Sequence, residues 1–376
     1  MMNTPLVSIV ITNHNYGRYL SAALDSALEQ SWPMTEVIVV DDGSTDGSRT
    51  VLQRYEGRVT VAYKENGGQA SAFNEGFRIS KGDIILFLDA DDLLFRDAVA
   101  TIVPLFGDVH TAKVHWPLRI VDGDGQETGD IIPGTDLPDG DFRMHALSYP
   151  PPFFLNPPTT GNAWSRRFLE TVMPMPELAF RIGADTYLFE TAALFGKVHA
   201  HRKPMGAYRI HGGNNYHTKG FSEKLDREIE FYESIHGILL GYAERLGLEP
   251  QADAWEKRSW FHMQKESIGE LVSVIPPGGT CIFIDDNTWG IGPRLEGRRI
   301  LPFTEKDGNW NGNPADDGEA MAELKRLRSE GAGYLAIAGN SNWWKEHYRD
   351  FCEHLSSHSN LILENERLTL FEIQKS

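Results

Sequence analysis

The stretch Gly82-Asp83-Ile84-Ile85-Leu86-Phe87-Leu88-Asp89-Ala90-Asp91-Asp92 joins a short apolar run to a cluster of carboxylates. The run is bulky and partly β-branched, and its length is that of one buried strand. Its end places Asp89, Asp91 and Asp92 at the carboxyl edge of a sheet, where open α/β sheets bind ligands. Crowded carboxylates repel one another unless a positive charge lies between them, and hard divalent cations prefer oxygen ligands. The stretch therefore predicts a metal site that holds a phosphorylated ligand.

Three strand–helix units precede this stretch. Predicted strands over 6–11, 36–40 and 59–63 alternate with segments whose apolar residues recur at helical spacing. This alternation predicts a mostly parallel sheet with helices on both faces. Further along, 112–121 and 126–132 flank Asp122-Gly123-Asp124-Gly125 and predict a hairpin, so the sheet is expected to become mixed.

The rest of the chain predicts further parts. Residues 221–272 have the pattern of two helices, and Pro276-Pro277-Gly278-Gly279 marks a boundary. Beyond it, strands and helices alternate again over a shorter stretch. We therefore predict an α/β domain over 1–219, a helical connector over 220–272 and a smaller α/β domain over 273–376.

Composition excludes several classes of protein. The 376-residue chain carries a formal net charge of −17, which argues against nucleic-acid binding and against a polybasic membrane anchor. Cys281 and Cys352 lie far apart, as expected of reduced thiols in the cytosol. The N-terminus lacks the pattern of a signal peptide, and no stretch approaches the ~20 apolar residues of a membrane span. We expect a cytoplasmic protein without a transmembrane segment.

Several motifs each allow a structural and a functional interpretation. Asp41 and Asp42 end a strand in a Gly/Ser-rich turn, which fits either a helix cap or a group that binds a base or ribose. Asp185 precedes a helix, so it either caps that helix or is an ionised general base. Arg209 and His211 alternate along an extended piece. The spacing supports two interpretations about equally. In the structural one, Arg209 forms an ion pair and His211 is a core histidine. In the functional one, Arg209 contacts a diphosphate and His211 contacts a metal or a phosphate.

Together these motifs resemble the family 2 glycosyltransferases, which are inverting enzymes of the GT-A fold. The resemblance covers roughly residues 5–215 and rests on motifs in the family's order. They are Val7-Ser8-Ile9-Val10-Ile11-Thr12-Asn13-His14-Asn15, Val40-Asp41-Asp42-Gly43-Ser44-Thr45-Asp46-Gly47, Asn66-Gly67-Gly68 with Ala70 and Asn74, Leu88-Asp89-Ala90-Asp91-Asp92, and Arg209-Ile210-His211. The resemblance implies a mixed sheet flanked by helices, with a nucleotide sugar at its carboxyl edge.

The resemblance also implies site residues. Thr12, His14 and Asp42 would hold the nucleoside, usually uridine, while Asp89 would approach the ribose. The nucleotide-sugar site as a whole would comprise Thr12, His14, Asn15, Asp42, Gln69, Asn74, Asp89, Ala90, Asp91 and Arg209. Asp91 and His211 would hold Mn²⁺ or Mg²⁺.

The implied reaction is a single displacement at the anomeric carbon. Asp185 matches the catalytic base, although Ala184 stands where the family often has Glu, and His14 stands where an aromatic residue is common. The base would take a proton from an acceptor hydroxyl, and the transition state would have oxocarbenium character. The segment over 273–376 resembles a small α/β domain appended to some bacterial polysaccharide glycosyltransferases. It lacks a complete Gly-x-Gly-x-x-Gly fingerprint, so no cofactor is expected there.

Three functions remain open on the sequence. The first is a metal-dependent transferase that moves a sugar, usually from UDP, to a glycan or lipid-linked glycan in bacterial polysaccharide assembly. Such an acceptor would bring the protein to the inner face of the membrane as a peripheral protein. The second is a sugar nucleotidyltransferase, but Thr12-Asn13-His14-Asn15 is not the Gly-rich, basic loop of that class. The third is an inactive scaffold that binds sugar nucleotides within a glycan assembly complex.

Overall fold

The chain forms two compact units. The computed structural model describes residues 4–151, 154–212, 221–251, 255, 258–289, 295 and 297–373. The first unit comprises Met1–Thr218 and Phe231–Trp255, and the second comprises Lys219–Glu230 and Glu256–Ser376. The segment predicted as a connector, 220–272, is thus divided between the units, and its predicted start lies outside the described residues.

The first unit is built on β-strands. They are β1 (Val7–Asn13), β2 (Thr35–Asp42), β3 (Thr60–Lys64), β4 (Ile84–Asp89), β5 (Leu93–Leu94), β6 (Thr111–His115), β7 (Leu118–Val121), β8 (Glu127–Ile132), β9 (Gly140–Asp141), β10 (Asn162–Ser165), β11 (Lys197–Ala200) and β12 (Gly206–Arg209). Among the described residues, eight of them form the main sheet, in the order β3-β2-β1-β4-β10-β6-β11-β9. Neighbours among β1 to β4 are parallel, whereas β10 is antiparallel to both β4 and β6.

Helices alternate with these strands along the chain. They are α1 (Gly17–Leu28), α2 (Ser48–Gln53), α3 (Gln69–Ile79), α4 (Ala98–Ile102), α5 (Arg143–Ser148), α6 (Arg166–Val172), α7 (Ala184–Phe195) and α8 (Phe221–Arg245), the last of which crosses the boundary between the units. One buried cluster contains Phe73 of α3 stacked on Phe87 of β4, with ring centroids 4.0 Å apart. A second buried cluster contains Leu86 of β4 with Leu24 of α1. Alternate residues of β4 therefore enter different cores, so the strand is buried on both faces. The mixed sheet flanked by helices is the predicted GT-A arrangement.

The hairpin prediction was correct only in part. The predicted strand over 112–121 is divided into β6 in the main sheet and β7 in a second sheet of order β5-β12-β7-β8. Pro117 lies at the division and, having no amide hydrogen, cannot donate a ladder hydrogen bond. The amide of the preceding residue, Trp116, donates to the Gly161 carbonyl. The hairpin itself joins β7 to β8. In the second sheet, β12, which ends in Arg209, pairs with β7.

The second unit contains a smaller sheet. Its helices are α9 (Trp260–Val274), α10 (Asp317–Ser329), α11 (Trp344–His347) and α12 (Arg349–His358). Its strands are β13 (Thr280–Ile284), β14 (Arg299–Pro302), β15 (Glu305–Lys306), β16 (Asn309–Trp310), β17 (Tyr334–Ala338), β18 (Ser359–Glu364) and β19 (Leu368–Ile373). Among the described residues, five strands pair in the order β14-β13-β17-β19-β18. This unit is the additional α/β part that the sequence predicts near the C-terminus.

No helix among the described residues is both long enough and apolar enough to cross a bilayer.

Candidate active site

A cavity of about 650 Å³ opens at the carboxyl ends of β1, β2 and β4. This is the edge at which parallel strands present their following loops to a ligand. Its lining includes eight of the residues predicted for the site, namely Thr12, His14, Asp42, Gln69, Asp89, Ala90, Asp91 and Asp185. The structure therefore brings together side chains from distant motifs of the chain.

One end of the cavity is organised by Asp42. Its Oδ1 accepts hydrogen bonds from Lys64 Nζ at 2.6 Å and from the Gly67 amide at 2.9 Å. Its Oδ2 accepts one from the Gly68 amide at 2.7 Å. Since a carboxylate oxygen has two lone pairs, these bonds leave acceptor capacity on Oδ2. Asp42 thus fixes the loop before α3 and can still accept one hydrogen bond from a ligand.

His14 lies beside Asp42 at the same end. Its Nδ1 is 2.8 Å from the Asp42 carbonyl oxygen, and the Asn66 side-chain nitrogen is within 3.2 Å of both ring nitrogens. Asn15, by contrast, is not part of the cavity lining. Its Oδ1 accepts from the Thr45 amide at 2.7 Å, which connects the loops after β1 and β2. Asn15 therefore stabilises two loops next to the cavity without lining it.

Asp89 and Asp91, at and just after the end of β4, line the cavity, and Asp92 follows them in the chain without lining it. Asp92 is buried and accepts from Thr160 Oγ1 at 2.6 Å and from the Arg209 amide at 2.9 Å. Burial raises the pKa of both Asp89 and Asp92, and the neighbouring charge of Asp91 raises each pKa further. Clustered carboxylates with raised pKa values form an electrostatic environment that favours a bound cation.

Arg209 and His211 have different positions relative to this cluster. The Arg209 guanidinium donates to the backbone carbonyls of Asp91 at 2.9 Å and Asp122 at 3.2 Å. It therefore connects the loop after β4 to the loop after β7. It is buried and outside the cavity lining, which differs from its predicted place at the diphosphate. His211 Nε2, however, lies 2.9 Å from Asp91 Oδ2. The two residues predicted to hold a metal are therefore adjacent.

Asp185 also lines the cavity, in the first turn of α7. Its Oδ2 accepts from Thr159 Oγ1 at 3.0 Å and its Oδ1 from the Thr186 amide at 2.9 Å. Gln69 Oε1 accepts from the Gly183 and Ala184 amides at 2.9 and 3.0 Å, which satisfies free donors at the start of this helix. Burial raises the pKa of Asp185, and its hydrogen bonds oppose that rise.

Two further positions differ from what the family resemblance implies. Asn74 lies outside the cavity lining because its side-chain amide pairs with the Met175 backbone, donating at 3.0 Å and accepting at 2.9 Å. Ala184 is fully buried in the core, so the residue before Asp185 packs against apolar neighbours where the family often carries Glu. Asn74 thus attaches α3 to the segment before α7.

Some lining residues were not among the predicted site residues. They include Tyr16, Asn66, Asn156, Thr159, Arg181 and Tyr208. Arg181 is the single Lys or Arg among the described residues that line the cavity. It is exposed, and its guanidinium donates to the Asn66 side chain. Two sequence features could have indicated this part of the lining, namely the Pro-Pro pair before Thr159 and the Gly before Ala184. Both mark sharp turns in the chain.

Comparisons with known proteins give the family. The profile described as glycosyl transferase family 2 matches residues 8–159. An uncharacterized glycosyltransferase of Nostoc sp. is 34% identical over 255 residues, which cover 64% of this chain and 79% of that protein. The chain belongs to glycosyl transferase family 2. It is a glycosyltransferase, as the predicted motifs imply.

Two further comparisons are a partial sequence match and a similarity to a solved structure. TuaG of Bacillus subtilis, a glycosyltransferase provisionally assigned to teichuronic acid biosynthesis, is 42% identical over 97 residues, covering 25% of this chain and 38% of TuaG. This family 2 chain therefore matches well under half of TuaG's length. The crystal structure of Staphylococcus aureus TarS 1-349 covers 99% of this chain and 97% of its own, at 14% identity and a TM-score of 0.49.

Proposed function

We propose that the protein transfers a sugar from a nucleoside-diphosphate donor, expected to be UDP-linked, to a hydroxyl group of a glycan or lipid-linked glycan. The anomeric configuration would invert, and a divalent cation would be required. The observation that carries this proposal is that Asp42, His14, Asp91 and Asp185, from four distant parts of the chain, all line the same cavity. Its volume of about 650 Å³ suits a nucleotide sugar, since ligand pockets usually measure about 300–1,000 Å³.

The polar groups suggest how the donor would be oriented. The free acceptor capacity of Asp42 suits a base N–H or a sugar hydroxyl, and His14 and Asn66 lie beside it. The exposed Arg181 reaches the same end and can contact phosphate or sugar oxygens. The diphosphate would then extend toward Asp91, leaving the sugar between the aspartate cluster and Asp185.

Asp91 and His211 would hold the cation. Within the described residues, no group of three or more His, Cys, Asp and Glu side chains is placed to bind a metal ion. Mn²⁺ and Mg²⁺ sites commonly combine one or two protein ligands with phosphate oxygens and water, so a carboxylate–imidazole pair fits such an ion once a nucleotide is bound. The bound cation would offset the charge of the departing diphosphate.

Asp185 would be the general base. It would accept the proton of the acceptor hydroxyl while the acceptor oxygen forms its bond to the anomeric carbon. The bond from that carbon to the diphosphate oxygen breaks in the same displacement, and the diphosphate departs with the electron pair. Thr159 and the Thr186 amide would keep the carboxylate oriented, because each donates to a different oxygen of Asp185. One displacement without a covalent enzyme intermediate inverts the anomeric centre.

The proposal also includes a biological setting. The match to TuaG supports a role in bacterial polysaccharide assembly. An acceptor carried by a lipid would place the protein at the inner face of the membrane as a peripheral protein. We propose that the α/β part within 273–376 is an accessory domain that binds acceptor or contributes to assembly.

Calorimetric titration with UDP, GDP, dTDP and CMP, each with and without Mn²⁺, tests the donor site. We expect Mn²⁺-dependent binding of UDP by the wild type and its loss in Asp91→Ala. Asp124→Ala is the matched control, since Asp124 is highly exposed and pairs only peripherally with Arg18. Absence of binding to every nucleotide would contradict the proposal, while tight binding without turnover of any UDP-sugar would favour the inactive scaffold.

A further inference from the structure

The side-chain amide of Asn156 is the feature of the cavity wall from which this inference starts. Asn156 lines the cavity, and its Oδ1 accepts a hydrogen bond from Lys113 Nζ. Its Nδ2 donates to the Phe154 carbonyl oxygen at 2.9 Å. Because a carbonyl oxygen can only accept, the amide nitrogen must face Phe154 and the amide oxygen must face Lys113. The orientation of this amide is therefore determined by its partners.

Lys113 is itself held firmly. It lies in β6 with an exposed fraction of 0%, where a lysine is costly unless its polar head has partners. Its Nζ lies 4.4 Å from the ring centroid of Phe189, 5.3 Å from that of Trp164 and 5.6 Å from that of Phe154. Burial lowers the pKa of Lys113, but the ammonium and the neutral amine both carry N–H groups. The hydrogen bond to Asn156 is thus available in either protonation state.

Two connections link Asn156 to the part of the lining that contains Asp185. Thr159, three residues after Asn156, donates to Asp185 Oδ2 at 3.0 Å. Phe189, which also lines the cavity, lies one helical turn after Asp185 in α7 and packs beside Lys113 Nζ. In the proposed function, the transferred sugar lies between the aspartate cluster and Asp185. Asn156 therefore belongs to the wall that this sugar would meet.

The amide of Asn156 can supply what the neighbouring carboxylates lack. A sugar hydroxyl has one hydrogen to donate and two lone pairs that accept. The ionised carboxylates of Asp91 and Asp185 can take the hydrogen but cannot donate to the lone pairs. Asn156 uses one Nδ2 hydrogen on Phe154, so its second Nδ2 hydrogen is available to a ligand. The hydrogen bond from Lys113 polarises the amide, which strengthens this N–H as a donor.

We propose that the Asn156 amide donates a hydrogen bond to a hydroxyl group of the transferred sugar, and that Lys113 is the positioning residue that fixes this amide. The inference rests on the proposed function, because it requires a nucleotide-sugar donor in this cavity. Lys113 does not line the cavity and acts through Asn156. A site that hydrogen-bonds a particular hydroxyl rejects a sugar without it, so Asn156 would contribute to the choice of donor sugar.

Calorimetric titrations with UDP, UDP-glucose, UDP-galactose and UDP-N-acetylglucosamine, all in the presence of Mn²⁺, test this contact. The measured quantity is the ratio of UDP-sugar affinity to UDP affinity. For at least one sugar, Asn156→Ala should lower this ratio by about 3-fold to 10-fold, the usual contribution of one neutral hydrogen bond. The affinity for UDP alone should not change, because UDP lacks the sugar.

Lys113→Met should lower the same ratio without lowering the melting temperature, because methionine suits the aromatic surroundings of this position. The double variant Lys113→Met/Asn156→Ala should bind no more weakly than Asn156→Ala, since both changes remove one interaction. Lys197→Met is the matched control. Lys197 lies in β11, which pairs with β6, and its side chain pairs with Asp108 outside the cavity lining.

Unchanged melting temperatures would establish that the variants are folded. An unchanged ratio in folded Asn156→Ala and Lys113→Met would overturn the inference alone, whether the two affinities stay constant or fall together. A further decrease in the double variant would overturn the assignment of Lys113 as a positioning residue. Absence of nucleotide binding by the wild type would instead overturn the proposed donor site, and the inference with it.

Discussion

His211 Nε2 lies 2.9 Å from Asp91 Oδ2, although the two residues are 120 positions apart in the chain. β4 ends just before Asp91, and β12 ends two residues before His211, so two different sheets contribute to this contact. Both side chains are only 10% exposed, and the Tyr19 ring stacks on the imidazole at a centroid distance of 4.9 Å. The pair is thus held in place by packing before any ligand binds.

This arrangement predicts that His211→Ala will weaken cation-dependent nucleotide binding. Even residues that only support a metal ligand change metal affinity by about 10-fold to 100-fold, so loss of a ligand should cost at least about 10-fold. The measurement is the Mn²⁺ concentration that gives half-maximal UDP binding. His110→Ala, which alters an exposed histidine of the same unit, should leave that concentration unchanged. An unchanged Mn²⁺ requirement in His211→Ala would exclude His211 from the metal site.

Arg181→Met is expected to weaken donor binding without changing stability. Arg181 is exposed and is the one Lys or Arg side chain lining the cavity within the described residues. A hydrogen bond to a charged group contributes about 1.5–3 kcal/mol, which corresponds to at least about a 10-fold change in affinity. Calorimetry with UDP should show this loss. Arg78→Met is the control, because Arg78 is an exposed arginine that pairs with Glu75 outside the cavity. Equal affinities in both variants would contradict a donor contact by Arg181.

His115 should make the protein less stable in acid. Burial lowers its pKa from 6.5 to about 2, and the nearby Lys113 charge contributes to the decrease. His115 therefore binds a proton below about pH 6.5 in the unfolded chain, but only below about pH 2 in the folded chain. The contribution of neutral His115 to the free energy of unfolding is therefore fully present above pH 6.5. It decreases as pH falls from 6.5 toward 2, by up to about 1.4 kcal/mol per pH unit.

The test is urea unfolding of the wild type and His115→Gln between pH 7 and pH 4.5. Glutamine can still donate a hydrogen bond to the Pro138 carbonyl, to which His115 Nε2 lies 2.8 Å away. We expect the free energy of unfolding to fall less steeply with decreasing pH in the variant. Parallel curves for the two proteins would show that His115 does not carry this dependence.

The sequence predicted those parts of the site that lie directly after strands. Asp42 and Asp89 follow or end apolar runs whose pattern defines β2 and β4, so strand assignment alone put them at one sheet edge. Asp185 was found from its position at a helix start. Local pattern sufficed in these cases because the direction of a parallel strand determines where its next loop lies.

Residues whose positions depend on tertiary contacts could not be found in this way. Asn74 belongs to α3 next to a predicted motif, yet its amide pairs with Met175, 101 residues away. Arg209 lies near the cluster as predicted, but its guanidinium binds the carbonyl of Asp91 from behind. Arg181 enters the cavity because its segment pairs with the start of α3, where the Gln69 amide donates to the Arg181 carbonyl at 2.8 Å. Gly68 permits this approach, since a Cβ there would lie 2.4 Å from Arg181 Cγ.

The most direct test of the proposed mechanism is the rate at which UDP is released from a UDP-sugar selected by the binding panel. Wild type and Asp185→Asn should bind that donor with equal affinity, because asparagine keeps the shape of the side chain. We expect the variant to release UDP more slowly by about 10²-fold to 10⁴-fold, the usual contribution of a general base. Wild-type turnover by an Asp185→Asn protein that binds the donor normally would contradict the account.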